Sequence, residues 1–461
     1  MERRVRNTAA AGIIACAALV YSGPGFLPGR VLLPADLIRE AGVWKKDPLD
    51  RRPVSNRLLS DPVLQFHPWD TAARRWLARG EVPFVNPFAG EGQALLANPQ
   101  AALLCPSTWP RILLGPRGWA VSVFLKVLAA GLGVAVLARE MGASAPAAAL
   151  SGLVAAGSGF SILWGLHPHT NVFAALPWLA AALLRSLREP SRARMAAVAG
   201  AALAAAVGGH PETLAVGLLG IAAFVTWEAL AARARFGLPL RRLAASAAAA
   251  GCGFLAAGIA LVPFLRLLAA SQAVAVRPGL SGGGIRWAAA VSQILPGFLG
   301  APLSNELDLS GVSAAAENFN SRCQGYVGAV VLVVLAISAR RLAPSFRRGL
   351  CIGALGLALA WRLPPFEPIL ARIPILSLGA RQYWAVLFVL FACAAAGPAL
   401  MEAPVASRGW RLAVVLAGFA LLAAGTLPSI PSARSQFLDA GEQAIARLRA
   451  RGRLTGSAEV Y

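Results

Sequence analysis

The sequence predicts an all-α polytopic membrane protein: a bundle of about eleven transmembrane helices with a long external loop after the first. Three observations carry that expectation. Hydrophobic residues make up 57% of the 461-residue chain and charged residues 14%, so most of it belongs in a medium of low dielectric. The formal charge of +22 is mostly arginine, gathered in short runs between apolar stretches, which is the positive-inside signature and not that of a nucleic-acid binder. One stretch, Ser60 to Pro110, is polar and aromatic where its flanks are apolar.

The chain begins with the basic MERRVRN, and an apolar run from Thr8 to about Leu27 follows. A cleaved signal peptide would show a small-residue cleavage site, and no A-x-A closes the apolar run, so 1–27 reads as an uncleaved first transmembrane helix with its N-terminus in the cytoplasm. Residues 28–118 read as an external loop, too rich in Pro, Asn and charge to cross a bilayer. Within it, Pro62 suits the first turn of a helix capped by Ser60 or Asp61. Phe66, Trp69, Ala73, Trp76 and Leu77 recur at helical spacing, with Gln65, Asp70, Arg74, Arg75 and Arg79 opposite and Gly80 placed to end the helix. That is the pattern of a helix lying along a membrane surface.

A transmembrane bundle is expected over 119–428, with spans near 119–138, 144–165, 170–187, 193–208, 212–231, 243–265, 324–339, 348–362, 381–400 and 409–428. Every loop this places inside is basic: Arg139; Arg185, Arg188, Arg192 and Arg194; Arg233, Arg235, Arg241 and Arg242; Arg340, Arg341, Arg347 and Arg348; Arg408 and Arg411. The C-terminal tail, 429–461, then falls outside. The outer segments hold all four histidines, His67, His167, His169 and His210, together with Asp36, Asp61, Glu212, the segment 266–323 and the turn 364–382. Cys16, Cys252, Cys351 and Cys393 lie in apolar segments and read as packing residues, whereas Cys105 and Cys323 are both external and within the reach of a possible bridge.

The external polar residues each have two readings. Asp61 is either a helix cap or a catalytic or metal-anchoring carboxylate. His167-Pro168-His169 with Asn171, and His210-Pro211-Glu212 with Thr213, are either wet interfacial turns or helix ends converging on a divalent cation or phosphate oxygens. Lys126, about two turns inside its span, either snorkels or pairs with an anionic headgroup or carboxylate. Arg381 in SLGARQYW is either an interface anchor beside Tyr383 and Trp384 or a bidentate clamp on a lipid phosphate.

The block Asp61-x-x-x-Gln65-x-x-Pro68, Gly80-Glu81-x-Pro83-Phe84-x-Asn86-Pro87-Phe88, Gly92, Leu96-Ala97-Asn98-Pro99-Gln100 and Pro106 resembles the first external loop of the YfhO-like bacterial membrane proteins of the GT-C glycosyltransferase superfamily. The likeness continues through LHPHTN, GGHPETL, GYVGAVV and SLGARQYW, covering about 55–400. It implies a GT-C-like bundle and a transferase of the bacterial cytoplasmic (inner) membrane. Such an enzyme takes a sugar from a polyprenyl-phosphate donor to a cell-envelope glycan, lipid or protein acceptor on the outer face. The resemblance makes Asp61 the catalytic residue and gives Lys126, Arg381, His169 and His210 the donor phosphate. Gln65, His67, Asn86, Asn98, Gln100, His167 and Glu212 stand as further candidates, and Asp61, His210 and Glu212 as a possible set of divalent-cation ligands. Membrane lipids are expected partners and nucleic acid is not. The chain departs from the family at two places: Arg322, Cys323 and Gln324 stand where a glutamate is expected before GYVG, with Glu317 further upstream, and the tail reads as the start of a soluble external domain that the family extends. The rival expectation is a transporter or flippase of lipid-linked saccharides; no internal repeat of the kind carriers show is visible.

Overall fold

A computed structural model describes residues 2–40, 56–90, 92–237, 239–272, 287–296, 319–364, 366, 372 and 379–402. The predicted span 409–428, the tail 429–461, Glu317 and most of 266–323 lie outside the described residues. The fold is helical, and its described strands are two short ones, β1 (Val85–Asn86) and β2 (Gln93–Ala94), paired antiparallel in the first loop.

In chain order the helices are α1 (Glu2–Ser22), α2 (His67–Leu77), α3 (Trp109–Leu114), α4 (Gly118–Glu140), α5 (Ala145–Ala156), α6 (Gly159–Leu163), α7 (Pro168–Arg188), α8 (Arg192–Ala206), α9 (Pro211–Phe236), α10 (Leu240–Ala256), α11 (Gly258–Ala270), α12 (Phe319–Cys323), α13 (Ala329–Ser338), α14 (Pro344–Ala360) and α15 (Ala385–Met401). Five described stretches are long and apolar enough to cross a membrane: Thr8–Phe26, Trp109–Glu140, Pro168–Arg188, Pro211–Arg235 and Arg381–Met401. A sixth is obtained if α10 and α11 count as one span, although they meet at 73°.

The other expected spans correspond to shorter helices. The segment 144–165 breaks into α5 and α6 because α5 ends at Gly157 and the extended Ser158 caps the next helix, accepting from the Ser161 amide. Its neighbour Gly159 lies where a Cβ would fall 2.4 Å from the Cys323 carbonyl oxygen. The helices within 193–208, 324–339 and 348–362 have 15, 10 and 17 residues. At 1.5 Å per residue, 15 residues reach about 22 Å, short of a hydrocarbon core of about 30 Å.

Two helices form the centre. Most of α7 and nearly all of α15 are buried, because alanines in both, and Gly397 in α15, let neighbouring backbones approach closely. At Gly397 a Cβ would sit 1.7 Å from the Ala147 carbonyl oxygen, so α5 and α15 cross backbone to backbone. Ser151 bridges them, donating to Ala394 O at 2.9 Å and accepting from Gly397 N at 3.1 Å. Gly397→Ala is therefore expected to destabilise the bundle by about 1–3 kcal/mol, read as a lower unfolding midpoint in detergent, with no change if the crossing is looser than this. The helix α1 is peripheral and inserts Ile14 where Gly131 of α4 and Gly152 of α5 meet. Of the four cysteines read as packing residues, only Cys393 is buried; Cys16, Cys252 and Cys351 face outward.

The predicted inner loops gather at one end of the bundle. Arg185 and Arg188 pair with Glu140, Arg242 donates to the Leu187 and Arg188 carbonyls, and the Ser144 amide donates to Glu402. Arg348 pairs with Glu228.

Candidate functional site

At the opposite end the first loop folds down onto the starts of α7 and α9. Asn98 accepts from the Gln100 amide and caps a short turn, after which Ala102 adopts a positive φ of 47°. Ser107 Oγ donates to Asn171 Oδ1 at 2.8 Å, and Asn171 Nδ2 donates to the Gly208 carbonyl at 3.0 Å. One relay thus ties the loop, α7 and the turn before α9. Gly209, with φ +95°, lies against this loop so closely that a Cβ would stand 2.6 Å from the Pro99 carbonyl oxygen.

Beneath the loop lies a buried ionic pair absent from the candidates named above. Asp70 of α2 meets Arg111 of α3 through Nε–Oδ2 at 3.1 Å and Nη2–Oδ1 at 3.2 Å, with both side chains 2% exposed. The Arg111 guanidinium also lies 4.6 Å over the Trp119 ring. Burial lifts the Asp70 carboxyl to about 6, against the pull of Arg111 and, more weakly, Lys126. The expected surface helix is present as a π-helical turn, Pro62–Phe66, running into α2. Its buried face, however, includes Asp70, Ala72 and Ala73. The correction has a simple cause: the loop supplies a cation, so an acidic residue can turn inward.

Lys126 does not snorkel. Its ammonium is buried and donates to the Gly165 and His167 carbonyls at 3.2 and 3.3 Å, closing the turn between α6 and α7. Two of its three N–H donors are thereby used. Three histidines converge beside this turn, so the wet-turn reading fails for them: His167, His169 and His210 are all buried. His169 stacks between Trp164 (4.2 Å, 14°) and His210 (3.6 Å, 26°), and Tyr383 approaches both imidazoles, at 5.1 and 4.8 Å. His210 Nδ1 accepts the Thr213 amide hydrogen at 3.1 Å, which places the proton of the neutral ring on Nε2. Neither ring nitrogen of His169 has a hydrogen-bond partner among the described residues. Burial and the nearby Lys126 and Arg111 charges push the His167 imidazole down to about 3, so it stays neutral. His67, at the start of α2, is half-buried and lowered by burial, Arg74 and Arg111; its neighbour Phe66 packs edge-on against His167 at 5.5 Å. All four histidines therefore lie toward the same end of the bundle.

Arg381 is buried on the turn leading into α15 and donates to the Gly379 carbonyl at 3.1 Å, which makes it an interior residue rather than an interface anchor. The same turn is pinned to α9, because the Ala380 amide donates to Glu212 at 2.9 Å. Gln324, standing near the place of the expected glutamate, accepts from Trp164 Nε1 at 3.0 Å and donates to the Gln382 carbonyl at 2.8 Å.

Asp61 stands apart from these contacts. Its backbone is helical and its side chain makes no capping bond, so the cap reading does not hold; its Oδ1 accepts from Gln65 Nε2 at 3.0 Å instead. Burial raises its pKa from the ordinary Asp value, with no charged neighbour contributing. Among the described residues no hydrogen bond or ion pair joins Asp61 to Lys126, Arg381 or the histidines. Asn86 accepts from the Phe88 amide and so shapes the loop, and Gln100 contributes its backbone amide to the Asn98 cap. Cys105 and Cys323 do not bridge: the first lies 3.2 Å from Ser107 Oγ, and the second donates to the Pro296 carbonyl.

The structure does not gather Asp61, His210 and Glu212 into a ligand set among the described residues. Asp61 accepts from Gln65, His210 from the Thr213 amide and Glu212 from the Ala380 amide, and no three His, Cys, Asp or Glu side chains come together as ligands among the described residues. Sequence reasoning missed Asp70 and Arg111 as a pair and Trp164 as the platform of the stack. The available signal for Trp164 was its position three residues before His167 in an otherwise apolar run. Comparison of the chain with protein-family models, with curated proteins and with solved structures found no match.

Proposed function

We propose that the protein is a GT-C-type glycosyltransferase of the bacterial cytoplasmic membrane, moving a sugar from a polyprenyl-phosphate donor to an envelope glycan, lipid or protein acceptor on the outer face. One observation carries the reading: Asp61, in the first loop, is a half-buried carboxylate without a cationic partner among the described residues, its proton affinity raised by burial. That is the condition of a general base. In the reaction Asp61 takes the acceptor hydroxyl proton, the acceptor oxygen bonds to the anomeric carbon, and the bond from that carbon to the phosphate oxygen breaks with its electron pair going to the phosphate. Groups able to hold that charge gather at the same end of the bundle: the third N–H of Lys126, the imidazole of His169 and the Arg381 guanidinium. The apolar helix faces suit the isoprenoid chain.

The test is a vesicle assay with labelled polyprenyl-phosphate sugar. Labelled acceptor and polyprenyl phosphate are expected in equal amounts. Donor that changes leaflet without chemical change would instead establish the flippase reading, which the 73° break between α10 and α11 favours, since carriers build their sites at broken helices.

His169 gives a second, independent check. Phe fills nearly the same ring space and removes two buried nitrogens that lack partners, a condition costing about 1–3 kcal/mol. His169→Phe is expected to leave the unfolding midpoint unchanged or higher while weakening donor binding. A variant that is both stable and fully active would remove His169 from the site.

A further inference from the structure

At the end of the bundle away from the histidines, a cavity of about 210 Å³ lies between α4, α7 and α8, lined by Val136, Trp178, Ala181, Ala197 and Ala201 and closed at one end by Arg185 and Arg194. It is open on the side where Trp178 is 37% exposed. The sequence keeps it open. Alanines face it from two helices, and Trp178 is anchored at its wall, its indole N–H donating to the Ala129 carbonyl at 2.8 Å. At Gly133 a Cβ would stand 2.7 Å from the indole nitrogen, so only glycine admits that placement.

The charge at and beside the closed end is one-sided. Arg185, Arg188, Arg192 and Arg194 stand against two carboxylates, Glu140 and Glu189. Arg185 and Arg188 share Glu140, and Arg194 pairs with Glu189, which is itself 73% exposed. An apolar slot ending in excess guanidinium charge is complementary to an amphiphile with a hydrocarbon tail and an anionic phosphodiester head.

We infer that this groove binds an anionic phospholipid, with an acyl chain along Trp178 and the alanines and the phosphate between Arg185 and Arg194. The inference is independent of the transferase reading, because it uses none of the residues at the other end. A lipid seated there joins α7 to α8, the second of which, at 15 residues, falls short of the hydrocarbon core.

The experiment uses the full chain purified in detergent, with native mass spectrometry after adding phosphatidylglycerol or phosphatidylcholine vesicles. Wild type is expected to retain phosphatidylglycerol at least tenfold over phosphatidylcholine, and inorganic phosphate should not displace it. The double variant Arg185→Gln/Arg194→Gln is expected to lower phosphatidylglycerol retention to the phosphatidylcholine level. It is designed to fold, because Arg188 still pairs with Glu140 at 3.0 Å. Ala197→Phe, which fills the slot and leaves every charge in place, is expected to abolish retention of both lipids. Equal retention of the two lipids by wild type, displacement by inorganic phosphate, or wild-type retention in either variant would overturn the site.

Discussion

Asp61→Asn is expected to lower sugar transfer by about 10²- to 10⁴-fold, the usual contribution of a positioned general base. Asn keeps an oxygen for the Gln65 side-chain amide, so folding and membrane insertion should be unaffected and the loss should appear in rate alone. The pH profile supplies a second arm. A base works only when ionised, so transfer falls as pH drops through the pKa of Asp61. Burial raises that pKa, which moves the acid limb above the ordinary Asp value of about 3.9. The variant should lose that limb along with the rate. Unchanged transfer in Asp61→Asn would end the enzyme reading at this residue, whatever the lipid and histidine variants do.

The largest expected effect on stability is at the Asp70–Arg111 pair. Arg111→Met is expected to cost about 3–5 kcal/mol at neutral pH, because the Asp70 carboxylate is then left in an apolar pocket with its bidentate partner gone. The sign of the pH dependence follows from burial. Asp70 is already lifted to about 6 with Arg111 pulling it down, so without Arg111 it rises further. A carboxyl whose folded pKa lies above its unfolded value favours the fold when protonated. The penalty should therefore shrink as pH is lowered from 7 toward about 4, the unfolded value. Replacing both partners, as in Asp70→Leu/Arg111→Met, should recover most of the loss. An Arg111→Met protein as stable as wild type at pH 7, measured by denaturant titration in micelles, would show that the pair is not what holds α2 to α3.

The loop helix illustrates what one sequence can and cannot specify. The spacing of Phe66, Ala73 and Trp76 with Gly80 marks a helix, and a helical stretch is there, ending before Gly80 at a positive φ of 74°. Which way Asp70 faces was not legible, because helical periodicity counts a carboxylate as polar and carries no information about a guanidinium 41 residues away. The same limit applies to Lys126. From sequence alone a lysine two turns inside a span should reach for water, and only the fold reveals that two backbone carbonyls at the α6–α7 turn are nearer. The broken span at 144–165 was readable in Gly157-Ser158-Gly159, whereas overall hydropathy merged the pieces.

The sequence by itself determined the solvent. A chain this apolar, with its arginines between apolar runs, calls for elements that satisfy their own backbone hydrogen bonds, and the described residues include five helical stretches long and apolar enough to cross a membrane. Tertiary structure alone decided which polar groups share an interior. His169 and His210, 41 residues apart, stack at 3.6 Å, while Asp61, which shares the first loop with the buried Asp70, bonds among the described residues to Gln65 alone. Such pairings depend on where helix ends meet, and helix ends meet where small residues let backbones close, a property of pairs of surfaces that one strand of letters does not contain.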